Sequence, residues 1–328
     1  MGTTAFVFPG QGSQRVGMGQ DLLAHWPELY DLYYGPADDI LGIDLAGLCR
    51  EGPIEALSHM PVTQPAVLLT SVAALHVLRE HGVAPDVAAG HSLGEFAALV
   101  CAGVLDFPDA LRLVRLRGEL MARVNERVPG RMAAVVGLDL ATMEALCDRA
   151  AAEAGEVVEI ANHNDPLQVV VSGQLDGMDR LVRLVGEAGA DRVVVLPITG
   201  PAHSSLMGGI TEDFAAALAA TEFRDPVVPV VSSTTARPVR NASDARHALR
   251  EQLTGRVRWT ETVAALTRAG VGRVVEVGPG RVLTGLCSRT APGLETYRSN
   301  DASQLKRAAA ACAYGTRPRP SETEVSQT

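Results

Sequence analysis

The segment Gly90-His91-Ser92-Leu93-Gly94 sets one serine between two glycines. The apolar run Val87-Ala88-Ala89 precedes it, and the helix-forming run Glu95-Phe96-Ala97-Ala98-Leu99 follows. Strand, Gly-x-Ser-x-Gly and helix in that order make a nucleophile elbow, a tight turn that pushes a serine hydroxyl out at its tip. Gly90 and Gly94 suit a turn in which backbone packs on backbone and a Cβ has no room. Ser92 then stands at a helix N-terminus, where free N–H groups and the dipole favour an oxyanion. The chemistry to expect is acyl transfer through an ester on Ser92. It needs a base, a group to orient that base, and donors for the oxyanion.

Of the eight histidines, His203 has the best setting for the base. It lies in Gly200-Pro201-Ala202-His203-Ser204, a break after a predicted strand and ahead of a helix, where loops carry chemistry. Taken alone, such a histidine is a cap or a satisfied polar group as readily as a base. His91 adjoins Ser92 and is hard to aim at it. No aspartate after Ser92 occupies an obvious strand-terminal loop, so the residues leave the orienting group open. Arg117 is the other conspicuous side chain. It falls on the apolar stripe of a predicted helix, four residues after Leu113 and four before Met121. A guanidinium turned toward a core is costly unless an anion meets it. That anion is either a protein carboxylate or a substrate carboxylate held by the bidentate fork.

The elements that must position these groups can be read along the chain. Thr4–Phe8 is a buried-type strand, broken by Pro9-Gly10-Gln11-Gly12; the glycine spacing matches neither dinucleotide nor P-loop patterns. Helical patterns follow near 19–32 and 54–57, and Pro65 is expected to open a helix over 66–80 closed by Gly82. Another helix runs from about Pro108 to Arg127. From Arg131 to Pro197 the rhythm becomes β-α-β-β-α-β, the ferredoxin-like order, with a turn at Asn162–Pro166 joining its two central strands. Strands near 227–232 and 274–277 return to the first rhythm. The expected fold is α/β. A larger α/β-hydrolase-like domain with a parallel sheet and the nucleophile elbow covers 1–128 and 198–310, and a small ferredoxin-like α+β subdomain is inserted at 129–197. Residues 311–328, rich in Pro, Thr and Ser, read as a disordered tail.

Composition narrows the function. A formal net charge of −9 and the lack of any basic tract disfavour nucleic acid as a partner. No apolar run approaches the roughly 20 residues of a membrane helix, and the N-terminus has neither the basic nor the apolar region of a signal peptide. Five cysteines without paired spacing argue against a disulfide framework or a metal site and fit a reducing cytoplasm.

The motifs taken together resemble the malonyl-CoA:acyl carrier protein transacylase family, including the free-standing acyltransferases of fatty acid and polyketide synthesis. The resemblance covers residues 4 to about 290. It rests on Phe8-Pro-Gly-Gln-Gly-Ser-Gln14, Gln64-Pro65-Ala66, Gly90-His-Ser-Leu-Gly-Glu95, Arg115-Leu-Arg117-Gly118, Ala161-Asn162, Pro201-Ala-His203, Val257-Arg-Trp259 and Glu276-Val-Gly-Pro-Gly280, in the family's order. It implies that Ser92 is the nucleophile and His203 the general base and acid, with the backbone N–H groups of Gln11 and Leu93 forming the oxyanion hole. Arg117 would pair with the free carboxylate of a malonyl group. A main-chain carbonyl, matching Gln252, would orient the histidine in place of an aspartate. Asn162 and His91 join Arg117 and Ala202 in the implied substrate-binding set. The implied reaction is ping-pong transfer from malonyl-CoA, or a C2-alkylmalonyl-CoA, to the phosphopantetheine thiol of an acyl carrier protein. No cofactor is implied, because the CoA thioester is substrate and the partner carries the phosphopantetheine. Two positions depart from the family. Arg256 stands where a proline usually precedes Val-Arg-Trp, and Ala202 is smaller than the phenylalanine of malonyl-dedicated polyketide relatives. A serine hydrolase or thioesterase, which shares elbow and base, is the alternative reading.

Overall fold

The computed structural model describes residues 3–313. Its strands in chain order are β1 (Thr3–Phe8), β2 (Val87–Gly90), β3 (Gly130–Val136), β4 (Val158–Asp165), β5 (Gln168–Gln174), β6 (Arg192–Thr199), β7 (Val230–Val231), β8 (Pro238–Val239), β9 (Val257–Arg258), β10 (Val271–Glu276) and β11 (Glu295–Arg298). They form two sheets in an α/β fold, ordered β11-β10-β1-β2-β7-β8 and β6-β3-β5-β4-β9.

The first sheet is parallel except at β8. Its central strands are apolar almost throughout, as strands covered on both faces must be; Ala5 to Phe8 are wholly buried. Because β1 has β2 on one side and β10 on the other, the chain leaves in opposite directions from neighbouring strands. A crevice therefore opens outside their C-terminal ends, where ligands bind in open α/β sheets. The Gln11 loop follows β1 and Ser92 follows β2, so topology alone brings both to that crevice.

The second sheet is antiparallel between β3, β4, β5 and β6, with helices Leu140–Ala154 and Leu175–Glu187 packed on it. The returning chain adds β9 parallel to β4, so this sheet is completed by residues far outside 129–197.

Several expected boundaries move. The helix expected from residue 66 runs over Met60–Glu80, with Pro65 inside it. Pro61 provides the proline start. Pro65 lacks the N–H that would bond the Pro61 carbonyl one turn back, and Arg115 Nη1 donates to that carbonyl instead at 3.2 Å. By length and composition this helix could cross a membrane, contrary to the expectation that no run is long enough; here it is buried in the core. The helix expected over 19–32 stops at His25, just ahead of Pro27, and the path resumes as a wide turn at Tyr30–Tyr34. The Asn162–Pro166 turn is mostly strand: Asn162 to Asp165 belong to β4, because pairing with β5 and β9 satisfies their backbone. The expected tail at 311–328 is corrected at its start, since the helix Ala302–Ala313 runs through Ala311 and Cys312 with Cys312 buried. The remainder of that expectation, 314–328, lies outside the described residues.

Candidate active site

Ser92 has φ of +52° and His203 φ of +56°, both in the left-handed region that side chains other than glycine rarely adopt. Two strained residues from loops 111 positions apart meet directly, with Ser92 Oγ 2.6 Å from His203 Nε2. The elbow is sterically enforced. A Cβ on Gly90 would overlap the Gly94 carbonyl group, and one on Gly94 would overlap the Phe8 carbonyl group. Neither glycine needs a positive φ; closeness alone demands it.

The imidazole tautomer follows from its partners. His203 Nδ1 lies 3.0 Å from the Gly255 carbonyl oxygen, which can only accept, so Nδ1 carries the proton. Nε2 is then the free acceptor facing the Ser92 hydroxyl. Gln252, expected to supply the orienting carbonyl, is the weaker backbone neighbour of the ring. Its side chain instead donates to the Ser92 carbonyl at 2.9 Å. Burial and then the nearby Arg117 charge push the His203 pKa down to about 3, partly offset by the Gly255 bond. The ring is therefore neutral at physiological pH and ready to accept a proton.

Arg117 is 2% exposed. Its Nη1 donates to Gln64 Oε1 at 2.9 Å and its Nη2 to Ser92 Oγ at 3.3 Å, while Nε has no partner. Among the described residues no carboxylate forms an ion pair with it; Glu95 acts only at longer range. Burial brings its pKa down to about 10, which leaves it a cation. Of the two anions that sequence reasoning left open, the protein carboxylate is not there.

The remaining expected residues converge on one cavity of about 410 Å³ between the two sheets. Gln11, His91, Ser92, Arg117, Asn162, Ala202 and His203 line it, with Met132, Ala134, Val170 and Leu196 as an apolar wall from the second sheet. Leu93 is not among its lining residues, as its side chain packs in the core; only its backbone could serve. Neither the Gln11 nor the Leu93 amide has an acceptor among the backbone and side-chain groups described. Two further buried polar atoms are unpartnered here, Gln11 Nε2 and Asn162 Oδ1. His91 Nε2 lies 2.8 Å from Asn164 Oδ1 and 3.4 Å from Asn162 Nδ2, and its ring edges onto Trp259. Burial lowers its pKa, so it holds the neighbouring strand as a neutral group. Arg256, next to Gly255, reaches Glu144 at 2.8 Å and so ties the turn that anchors His203 to the helix Leu140–Ala154.

Sequence reasoning missed the contacts that Gln64 and Gly255 make in the site. Gln64 carries a signal, a long amide in a mostly apolar helical run, and in the folded chain it is fully buried. A backbone carbonyl such as that of Gly255 has no residue-type signature.

A family model described as the acyl transferase domain matches residues 5–314. The malonyl CoA-acyl carrier protein transacylase of Escherichia coli (strain K12) is 43% identical over 302 residues, covering 92% of this chain and 97% of its own. Polyketide biosynthesis protein ThaF of Burkholderia thailandensis is 40% identical over 320 residues, 96% of this chain but 26% of its own. Among solved structures, a type II PKS acyl-carrier protein in complex with its malonyl-transacylase matches with a TM-score of 0.91 at 42% identity, over 94% of this chain and 99% of that one.

Proposed function

The chain belongs to the acyl transferase domain family, and from that premise we propose that it transfers a malonyl group from coenzyme A to the phosphopantetheine thiol of an acyl carrier protein. One observation carries the choice of cargo: a buried guanidinium without a carboxylate partner touches the nucleophile at 3.3 Å. A monoacyl group gives that cation nothing to pair with. A malonyl group puts its free carboxylate on Arg117 while its thioester carbonyl reaches Ser92.

The steps follow from the atoms. Ser92 Oγ attacks the thioester carbon as its proton passes to His203 Nε2. The Gln11 and Leu93 N–H groups take the oxyanion, helped by the N-terminus of the helix Gly94–Cys101. The intermediate collapses, breaking the C–S bond, and the CoA sulfur leaves with the proton from His203. The same residues then run in reverse: His203 takes the proton of the carrier's thiol, which attacks the acyl-Ser92 ester. Gly255 holds the imidazole throughout, the part that Gln252 was expected to play. The cavity walls limit access of water to the ester between the two halves. Asn162 and His91 line the acyl chamber beside Arg117. No resident cofactor enters this scheme.

Ala202 lines the same cavity as Met132, Ala134, Val170 and Leu196, and its small side chain supports a reading in which space is left at C2 of the acyl group. On this reading the pocket accepts C2-alkylmalonyl units beside malonyl. We read residues 1–128 and 198–310 as an α/β-hydrolase-like domain and 129–197 as a ferredoxin-like subdomain. This is supported by the elbow after a parallel strand and by the β6-β3-β5-β4 order. The five free, buried cysteines favour a cytoplasmic setting. A hydrolase of neutral thioesters would share Ser92 and His203, but it leaves Arg117 without a role.

The test is intact-mass measurement after mixing with a panel of acyl-CoAs, beside Ser92→Ala. A malonyl increment on wild type alone, discharged by a holo acyl carrier protein, is expected. Acylation by acetyl-CoA in preference to malonyl-CoA would overturn the assignment of cargo.

A further inference from the structure

Glu95 has no part in the steps above, yet it is wholly buried three residues from the nucleophile. It does not line the cavity. Burying a carboxylate is expensive unless donors meet it, and in Glu95 they meet Oε2 alone while Oε1 has no partner. Glu276, equally buried, serves the fold, because its two oxygens accept from Leu283 N and Thr284 N and so cap a helix. Glu95 does something different. Its Oε2 accepts from Ser233 N at 3.2 Å, Ser233 Oγ at 2.9 Å and Gln252 Nε2 at 3.1 Å.

Those partners lead to both halves of the catalytic pair. The same Gln252 Nε2 also donates to the Ser92 carbonyl at 2.9 Å, so one amide ties the carboxylate to the strained elbow. Gln252 begins the turn that ends at Gly255, whose carbonyl holds His203 Nδ1. Gly255 in turn bonds back through its N–H to the Glu251 carbonyl. Ser233 braces the far side of that turn: its carbonyl accepts from Arg258 N at 2.7 Å. Thr234 packs so closely on Gly255 that a Cβ there would collide with it.

We propose that Glu95 is a positioning residue for acyl transfer, its carboxylate locking the Ser92 elbow and the Gly255 turn into one frame through Gln252 and Ser233. It acts as a triad acid one layer removed, holding the carbonyl that holds the imidazole rather than the imidazole itself. Serine and base then meet at a fixed distance although they come from loops far apart in sequence.

This rests on the acyl-transfer reading, and the experiment separates the two. Single-turnover acylation of Ser92 by malonyl-CoA is followed by mass in wild type, Glu95→Gln, His203→Ala and the double variant. Glu95→Gln slows acylation by about 10- to 100-fold, a part of the roughly 10²–10⁴ that a positioned base supplies, with KM within about threefold. In the His203→Ala background the same substitution has a clearly smaller effect, because most of its action passes through the base and only the part exerted on the Ser92 elbow remains. An unchanged rate in Glu95→Gln, or equal slowing in both backgrounds, overturns the proposal. Should Glu95→Gln not fold, Ser233→Ala removes one donor to the same carboxylate and is judged by the same cycle, with slowing of about threefold expected. Wild type that gains no malonyl mass overturns the acyl-transfer reading and this proposal with it, whereas normal acylation with an additive Glu95 effect removes only the positioning role.

Discussion

Arg117 Nη2 stands 3.3 Å from Ser92 Oγ, although one residue comes from the helix Phe107–Arg127 and the other from the turn after β2, 25 positions away. The guanidinium is held from behind by Gln64, a neutral amide that orients it without neutralising it. The cation beside the nucleophile is buried and, among the described residues, has no carboxylate partner, which is the basis for proposing a substrate with a negative end.

Removing that charge should change the cargo more than the chemistry. Arg117→Ala is expected to lower kcat/KM for malonyl-CoA by about a hundredfold or more, the scale of losing charge-assisted hydrogen bonds in a dry site. Acetyl-CoA, with no carboxylate to place, should lose little or gain. Steady-state kinetics with both donors decides it; equal losses for the two would show that Arg117 serves the serine rather than the acyl group.

The space beside Ala202 should set tolerance at C2. Ala202→Phe is expected to shift the malonyl/ethylmalonyl rate ratio toward malonyl by about 10- to 100-fold, since one small group in an apolar pocket discriminates by about 1–3 kcal/mol. Competition between the two CoA esters, read by the mass of acylated Ser92, measures the ratio. An unchanged ratio would move the C2 pocket elsewhere.

Stability should depend on acid through His203. Its folded pKa, near 3, lies below its unfolded value, so between those pH values the unfolded chain binds the extra proton. Stability then rises with pH across that window and levels off above about pH 7. His203→Gln should shrink the difference in unfolding free energy between pH 5 and pH 7 by up to about 2 kcal/mol. Urea denaturation at the two pH values tests this, and an undiminished difference would assign the acid sensitivity to other groups.

Two glycine substitutions should behave oppositely. Gly94→Ala forces a methyl onto the Phe8 carbonyl group and is expected to lower the thermal midpoint by about 5 °C or more. Gly186→Ala, on a helix with nothing within 4 Å of the added Cβ, should be neutral or raise stability by about 0.5–1 kcal/mol. Thermal melts of both proteins check the contrast.

Much of this protein is local and therefore legible in its residues. The elbow is a contiguous pattern whose glycines answer to one close approach. The rhythm over 131–197 yields strands and helices in the expected β-α-β-β-α-β order. Arg117 announced itself by a charge on an apolar stripe. What one chain position cannot encode is which distant group will face it. Whether Arg117 meets a protein carboxylate depended on packing across two helices, and only the folded chain brought Gln64 and Ser92 to it. The carbonyl that orients His203 belongs to Gly255 rather than mainly to Gln252, a shift of three residues within one turn, and backbone oxygens leave no mark in residue type. The Asn162–Asp165 segment reads as a turn because Asn, Asp and Pro favour turns in isolation, yet strand partners on both sides made it a strand. Composition and period determined the elements and the nucleophile; long-range hydrogen bonding and burial, which sum over residues far apart, decided how the base, the cation and the buried Glu95 are held around it.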